Sequence, residues 1–170
     1  RTTEKMRIVA DGQQLVRVDW DTSYLTDRNT NKVLNRIADE IESVDGVIIS
    51  DYGKGICAEL IAKEIINHAR KLKIPAFIDP KGRKWDKYSG ATIITPNLKE
   101  AESALGKRLK SEKDIEEAGM EICNNFRINA CLITRGPQGM SYISKDFKLH
   151  VSSEAKEIFD VSGAGDTVIA

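Results

Sequence analysis

The stretch Gly46–Asp79, GVIISDYGKGICAELIAKEIINHARKLKIPAFID, contains two short apolar runs separated by a helical pattern. Gly46–Ser50 and Ala76–Asp79 have the length and the β-branched content of buried strands. Between them, apolar residues recur at helical spacing, and the predicted inner helix face consists of Leu60, Ile61, Ile65, Ala69 and Leu72. A strand–helix–strand unit joins parallel strands by a right-handed crossover. The stretch therefore predicts an α/β fold built on a parallel sheet.

The alternation of strands and helices continues along the rest of the chain. One helical pattern runs over residues 31–44, and another begins at Ser111, where Ser111 and Asp114 have the spacing of a capping box. Their predicted inner faces carry Val33, Ile37, Ile41 and Val44 in the first and Ile115, Ala118, Ile122 and Phe126 in the second. The other predicted elements are the strands Ala91–Thr95 and Ala130–Thr134 and a hairpin of Met140–Ile143 and Phe147–Val151. We expect helices on both faces of the sheet.

The first 22 residues follow a different pattern and are predicted to form a β-hairpin. Val16, Val18 and Trp20 alternate with polar residues, and Asp11-Gly12 is a favourable turn sequence. We therefore divide the chain into a hairpin over residues 1–22 and an α/β core over residues 30–170.

Composition restricts the class of protein. The 170 residues include 26 basic and 26 acidic side chains, so the basic surplus typical of nucleic-acid-binding domains is absent. No apolar run approaches the ~20 residues of a membrane span, and no signal-peptide pattern opens the chain. The three cysteines have no Cys-x-x-Cys spacing and are expected to be reduced. We therefore expect a cytoplasmic domain with a small-molecule substrate and with neither a nucleic-acid nor a membrane partner.

Polar residues follow each predicted parallel strand. Ligands bind beyond the carboxyl ends of parallel strands, so these positions are candidates for a common site. They are Ser50-Asp51, Asp79-Pro80-Lys81, Thr95-Pro96-Asn97, Thr134-Arg135-Gly136 and Asp160. We expect all of them to converge at one edge of the sheet.

A turn of small residues precedes an acid in Gly163-Ala164-Gly165-Asp166. A dinucleotide fingerprint requires a third glycine where Val168 stands, and a P-loop requires Ser or Thr where Gly55 follows Gly53-Lys54. Backbone N–H groups at a helix start attract anions, and glycines let a phosphate approach closely. An acid would repel that phosphate unless it acts as the base for an attacking hydroxyl. The alternative is a glycine-rich turn in which Asp166 only stabilises the first turn of a helix.

Asp160–Asp166, DVSGAGD, resembles the signature of the PfkB (ribokinase-like) family of sugar kinases, and Asn97–Glu100 and Thr134–Gly136 extend the resemblance. The strings that are similar to the kinase domain of bacterial heptose-phosphate enzymes are Arg7–Asp19, Ser50–Gly55, Asp79–Lys81 and Thr95–Glu102. The resemblance implies a ribokinase-like three-layer fold with a mainly parallel sheet and a hairpin lid. It also implies phosphorylation of D-glycero-D-manno-heptose 7-phosphate at O1 with ATP and Mg²⁺, on the way to ADP-heptose and lipopolysaccharide.

The resemblance implies roles in phosphoryl transfer for three sets of residues. Asp166 would remove the proton from the sugar hydroxyl, and the backbone of Gly163–Gly165 would stabilise charge on the γ-phosphoryl group. Asn97 and Glu100 would place magnesium and phosphate, with Glu100 acting on the metal through water, although this pair also fits a helix capping box. ATP contacts are implied for Thr134, Arg135, Gly136, Gly139 and Asp160. An ordinary strand-to-hairpin turn would also use these glycines.

The loops after two strands carry candidates for binding a sugar phosphate. Lys54 and Lys81 are compact cations of the kind that bind phosphate, and the alternative is that they are solvated loop lysines. Asp51 and Asp79 are expected either to bind sugar hydroxyls or to cap the following helices.

Three polar residues of the hairpin complete the predicted sugar site. Arg7, Gln14 and Arg17 lie on its polar side. In this family such strands form a lid over the sugar and often a subunit contact, so we expect a homodimer. A plain solvated strand face is the alternative for these three residues.

Other interpretations stay open at this point. They are a PfkB kinase for another sugar, a non-catalytic nucleotide- or sugar-binding module, and a redox enzyme. Intact Asp166, Asn97 and Glu100 disfavour the second, and the missing dinucleotide fingerprint disfavours the third.

The glycine-rich N-terminal part of the family and most of the catalytic helix are not in the sequence, so we expect a partial domain with a truncated catalytic helix. A nucleotidyltransferase domain follows the kinase in some relatives.

Overall fold

The computed structural model describes residues 4–10, 13–20, 26–153 and 164–169. Strands β1 (Glu4–Ala10) and β2 (Gln13–Trp20) pair antiparallel in a hairpin that is separate from the main sheet. The register confirms the predicted alternation of apolar and polar residues, whereas the predicted turn at Asp11-Gly12 lies outside the described residues. One face of the hairpin is apolar and consists of Met6, Ile8, Val16, Val18 and Trp20.

The main sheet has four parallel strands followed by two antiparallel strands. In chain order and in spatial order they are β3 (Val47–Ser50), β4 (Ala76–Asp79), β5 (Ile93–Ile94), β6 (Ala130–Thr134), β7 (Met140–Ser144) and β8 (Lys148–Val151). The predicted strands are confirmed, although β5 is shorter than expected. The Thr92 and Thr95 amides nevertheless donate to Ala76 O and Ile78 O of β4 at 2.8 Å, so the backbone pairing extends beyond β5.

The described residues include five helices besides these strands. They are α1 (Asp27–Ile41), α2 (Glu59–Leu72), α3 (Leu98–Leu105), α4 (Glu112–Phe126) and α5 (Ala164–Ile169), with single 3₁₀ turns at Gly55–Cys57, Asp86–Tyr88 and Gly136–Gln138. The capping box predicted at Ser111 and Asp114 is confirmed at the start of α4. In the described part of the chain, no helix has the length and apolar character needed to cross a membrane.

The core lies between the sheet and the helix layer. Ile49, Ile78, Ile94 and Cys131 occupy paired positions on neighbouring strands and are all buried. Helix α4 packs closely on β7, because a Cβ atom built at Gly119 would lie 2.7 Å from Ile143 Cβ. This close packing explains a glycine in the middle of a helix.

The described residues cover one face of the sheet more completely than the other. Ile48, Leu149 and Val151 are 50%, 46% and 44% exposed, so the described residues leave much of the second face open. Strands β3 to β6 lie side by side in the order in which they occur along the chain. Right-handed crossovers between strands in this order place their helices on the same side of the sheet.

The predicted inner faces of α1 and α2 are partly wrong. Leu60 and Leu72 are exposed, and the buried residues of α2 are Ile61, Ala62, Ile66 and Ala69. Consecutive helical residues point about 100° apart, so a broad apolar stripe does not reveal which of its edges packs on the sheet. Val44 is also exposed, because α1 ends at Ile41.

Candidate active site

The carboxyl ends of the parallel strands bring the predicted ligand-binding segments to one edge of the sheet. The Asp51 amide donates to Asp79 O at 3.0 Å, so the segments after β3 and β4 are neighbours. The Thr134 amide donates to Pro96 O at 3.0 Å, which joins the segments after β5 and β6. The predicted convergence is confirmed for these four segments.

Asn97 and Glu100 form a capping box at the start of α3. The Glu100 amide donates to Asn97 Oδ1 at 2.9 Å, and the Asn97 amide donates to Glu100 Oε2 at 3.0 Å. The second oxygen, Glu100 Oε1, lies 3.3 Å from Lys81 Nζ, and the glutamate side chain is 17% exposed. The helix cap therefore fixes this carboxylate and leaves one oxygen facing the loop after β4.

The loops that carry Lys54 and Lys81 lie close together. Gly53 has a φ of 71°, a left-handed conformation that favours glycine, and a Cβ atom built there would lie 3.7 Å from Lys81 Cγ. Lys81 is 57% exposed and reaches Glu100, while Lys54 is partly buried. The structure therefore brings the loops of the two predicted phosphate-binding lysines to the same part of the edge.

Asp51 is a buried carboxylate that does not face the open edge. Its Oδ1 accepts a hydrogen bond from the Gly53 amide at 2.6 Å. Its Oδ2 accepts from the Tyr88 hydroxyl at 2.6 Å and from the Lys87 ammonium. The helix-capping alternative for Asp51 is wrong, because the following turn, Gly55–Cys57, has no side-chain cap. The side chain also has no exposed surface to offer to a sugar.

Burial controls the protonation of the groups around Asp51. Burial and the hydrogen bond to Asp51 hold the pKa of the Tyr88 hydroxyl far above its ordinary value, so this hydroxyl is protonated at neutral pH. Burial and the Asp51 charge also raise the pKa of the Cys57 thiol to about 11.

Sequence reasoning missed Lys87 and Tyr88. The available signal was a lysine–tyrosine pair close to a tryptophan in an otherwise polar loop.

Asp79 belongs to β4, the strand that α5 contacts. Asp79 is half-buried at the end of that strand, where its Oδ2 accepts a hydrogen bond from Ser50 Oγ at 3.3 Å. It does not cap the next helical turn, which has no side-chain cap. Helix α5 begins with Ala164–Asp166 and contacts β4, so this part of the small-residue turn belongs to the same region. Gly163 and Asp160 lie outside the described residues.

Thr134–Gly139 leads from β6 into β7 through a tight turn. The Arg135 amide donates to Gly139 O at 2.8 Å, and the Gly139 amide donates to Gly136 O at 2.9 Å. Gly136 and Gly139 have φ of 59° and 86°, and a Cβ atom built at Gly139 would lie 1.9 Å from Val151 O. The turn itself therefore requires glycine, and its contact with ATP stays a prediction.

Arg135 ties this turn to the helix layer. Its side chain is 6% exposed, and its Nη1 lies 3.6 Å from Glu112 Oε1 at the start of α4. The Nε atom is buried and has no hydrogen-bond partner among the described residues. Contact of Arg135 with ATP is likewise still a prediction.

The hairpin brings two predicted sugar-site cations together. Arg7 and Arg17 are directly opposite each other in the β1–β2 register, and both are exposed. Their guanidinium groups therefore extend from opposite positions on one face of the hairpin. Gln14 pairs with Val9, next to a register irregularity between Ile8 and Val9.

Sequence comparison identifies relatives of the whole chain. Residues 1–170 match the family described as pfkB family carbohydrate kinase. The curated proteins named Bifunctional protein HldE from Aliivibrio fischeri (strain MJ11) and Enterobacter sp. (strain 638) are each 40% identical to it, over 170 and 169 residues. The alignments cover 99% of this chain and 35% of either relative, so the chain spans about a third of their length.

Structural comparison finds the same architecture in solved proteins. Phosphofructokinase-2 from Escherichia coli in complex with potassium aligns with a TM-score of 0.78 at 22% identity, covering 99% of this chain and 55% of that one. Arabidopsis thaliana ribokinase complexed with ribose and ATP aligns with a TM-score of 0.66 at 18% identity, covering 92% and 50%. These likenesses confirm the ribokinase-like fold, and the match over residues 1–170 shows that the chain belongs to the pfkB family of carbohydrate kinases.

Proposed function

We propose that this chain is the catalytic part of an ATP-dependent kinase that phosphorylates D-glycero-D-manno-heptose 7-phosphate at O1. Membership of a carbohydrate kinase family supports phosphoryl transfer from ATP to a sugar hydroxyl. The relatives named HldE agree with the resemblance to heptose-phosphate kinases. The observation that carries the proposal is the cluster at the sheet edge, where Lys81 pairs with Glu100 and its Cγ lies 3.7 Å from the position that a Cβ atom would take at Gly53.

Adjacent lysine loops suit a substrate that already carries a phosphate. Lys54 directly follows Gly53, whose Cβ position lies 3.7 Å from Lys81 Cγ, so both lysines start from neighbouring backbone. A charge-assisted hydrogen bond contributes about 1.5–3 kcal/mol, and an unphosphorylated sugar offers no anion for such bonds. The opposed Arg7 and Arg17 add positive charge on the hairpin, which we propose to be the lid.

Asp166 is the proposed base for phosphoryl transfer. It would take the proton of the C1 hydroxyl while that oxygen forms a bond to the γ-phosphorus of ATP. The bond from the γ-phosphorus to the bridging oxygen breaks, and ADP leaves with the electron pair. Backbone amides of Gly163–Gly165 would stabilise charge on the transferred group. The contact of α5 with β4 supports a role for this turn beside Asp79.

Glu100 is the residue that would hold magnesium, through water. Its Oε1 has the Lys81 ammonium at 3.3 Å, so the position accepts a positive charge. Magnesium keeps much of its water shell and is commonly bound by one or two carboxylates together with substrate phosphates. Bound magnesium would neutralise phosphate charge during transfer. The turn from Thr134 to Gly139 would contact the same phosphates.

We also propose a homodimer formed through the hairpin. The five residues of its apolar face are 37–52% exposed, and their burial against a second copy would be favourable. We further propose a second domain, a nucleotidyltransferase, in the complete protein; two relatives carry the name Bifunctional protein HldE, and this chain spans 35% of either.

The test is a kinase assay of the complete enzyme with heptose 7-phosphate and with unphosphorylated heptose. Release of ADP should depend on Mg²⁺, and kcat/KM should be at least about tenfold higher for the phosphorylated sugar, the scale of one charge-assisted contact. Equal kcat/KM for the two sugars would reject a sugar-phosphate site. No release of ADP with either sugar would reject the heptose assignment.

A further inference from the structure

A hydrogen-bond relay joins the backbones of the two lysine loops. The Gly53 amide donates to Asp51 Oδ1 at 2.6 Å, the Tyr88 hydroxyl donates to Asp51 Oδ2 at 2.6 Å, and the Lys81 amide donates to the Tyr88 hydroxyl oxygen at 3.2 Å. The relay thus begins one residue before Lys54 and ends at Lys81. We propose that Asp51 and Tyr88 are positioning residues that set the spacing of these lysines and make the site specific for a phosphorylated sugar. This inference rests on the proposed function.

The relay is shielded from water. Tyr88 has no exposed surface and Asp51 is 2% exposed. Hydrogen bonds are stronger in the low-dielectric interior, and a buried polar group that loses its partner is costly. Trp85 anchors the same loop, because it is fully buried and its indole nitrogen donates to Gly82 O at 3.1 Å. The loop after β4 is therefore held at several points, and Tyr88 connects it to the loop after β3.

Lys87 supports the relay through an ion pair with Asp51. It is 18% exposed and also donates to Cys57 O at 3.4 Å. A buried charged group that loses its partner is costly. The ion pair therefore holds the Asp51 side chain where it accepts from the Gly53 amide and the Tyr88 hydroxyl.

Loop spacing matters more for a phosphorylated sugar than for other ligands. One phosphate that binds both lysines requires a fixed distance between them, because a hydrogen bond weakens steeply when its donor and acceptor move out of position. The relay acts on the backbone from which each lysine extends, and a Cβ atom built at Gly53 would lie 3.7 Å from Lys81 Cγ, so the two loops are close. A relay that only stabilised the fold would affect all ligands equally.

The test is Tyr88→Phe in the complete enzyme, which removes only the hydroxyl. The KM for the phosphorylated sugar should rise about tenfold, the scale of one lost charge-assisted hydrogen bond, with kcat and the KM for Mg-ATP unchanged. The KM for the dephosphorylated sugar should change less. Calorimetric titration without ATP should show the same selective loss. Tyr142→Phe makes the same chemical change in β7 and is the matched control, expected to leave every constant unchanged.

Two outcomes would contradict the proposal that the relay makes the site specific for a phosphorylated sugar. One is an equal rise in KM for both sugars and ATP, and the other is no change in KM in a folded Tyr88→Phe enzyme. If Tyr88→Phe does not fold, Asp51→Asn weakens the same bonds at nearly constant volume and should give the same selective loss. A wild-type enzyme that binds no phosphorylated sugar rejects the proposed function itself. A wild type and a Tyr88→Phe variant that bind the phosphorylated sugar equally well reject only the relay.

Discussion

The substitution Lys81→Met separates ligand recognition from folding stability. The Lys81 ammonium lies 3.3 Å from Glu100 Oε1, but the lysine side chain is 57% exposed. Exposed ion pairs contribute about 0.2–1 kcal/mol, and methionine keeps much of the apolar stem. We therefore expect the free energy of unfolding to fall by less than about 1 kcal/mol, and the Tm to fall by less than about 4 °C.

The substitution should weaken the free energy of binding to the sugar phosphate by more than it lowers the free energy of unfolding. Removal of a charge-assisted contact costs about 1.5–3 kcal/mol, which corresponds to about ten- to a hundredfold in affinity for the phosphorylated sugar. The assay is calorimetric titration and steady-state kinetics of the complete enzyme with heptose 7-phosphate and with heptose. Lys84→Met is the matched control, because Lys84 is an exposed lysine in the same loop, and it should bind both sugars as the wild type does.

Two results would refute this reasoning. Equal losses of affinity for the two sugars would show that Lys81 does not bind the substrate phosphate. A weakened affinity for ATP with unchanged sugar binding would assign Lys81 to the nucleotide instead.

Four further predictions use other parts of the molecule. Asp166→Asn should lower kcat about 100-fold or more with ATP affinity retained, and turnover at the wild-type rate would contradict its role as base. Glu100→Gln should raise the magnesium concentration needed for half-maximal activity, so an unchanged magnesium titration would count against it. Gly119→Ala should lower the free energy of unfolding by about 1–3 kcal/mol, because its Cβ would lie 2.7 Å from Ile143 Cβ, and an unchanged denaturant midpoint would exclude this clash. Cys57, with a pKa raised to about 11, should react slowly with iodoacetamide at pH 8 until the protein unfolds; rapid labelling of the native protein would contradict that value.

Local sequence patterns predicted the elements that local interactions determine. The bounds of β4 and β6 agree with prediction, because each is a short apolar run that is closely delimited along the chain. The capping boxes at Asn97 and Ser111 were visible as pairs of residues three apart. The inner face of α2 was wrong because tertiary packing selects one edge of a wide apolar stripe.

The location of the site was predictable from the sequence, but the hydrogen bonds within it were not. The order of polar residues after each strand indicated the edge, because parallel strands end together. The role of Asp51 could not be read from sequence, since its partners Lys87 and Tyr88 are 36 and 37 residues away. The requirement for Gly139 depends in the same way on Val151 O in the neighbouring strand β8.

The most direct test of the central claim is phosphorus NMR of the complete enzyme with Mg-ATP and heptose 7-phosphate. The account predicts that the γ-phosphate resonance of ATP disappears while one new phosphomonoester resonance, coupled to the anomeric proton of the heptose, grows in equal amount. A spectrum in which ATP persists, only inorganic phosphate is released, or the new phosphate is attached to another carbon would contradict it.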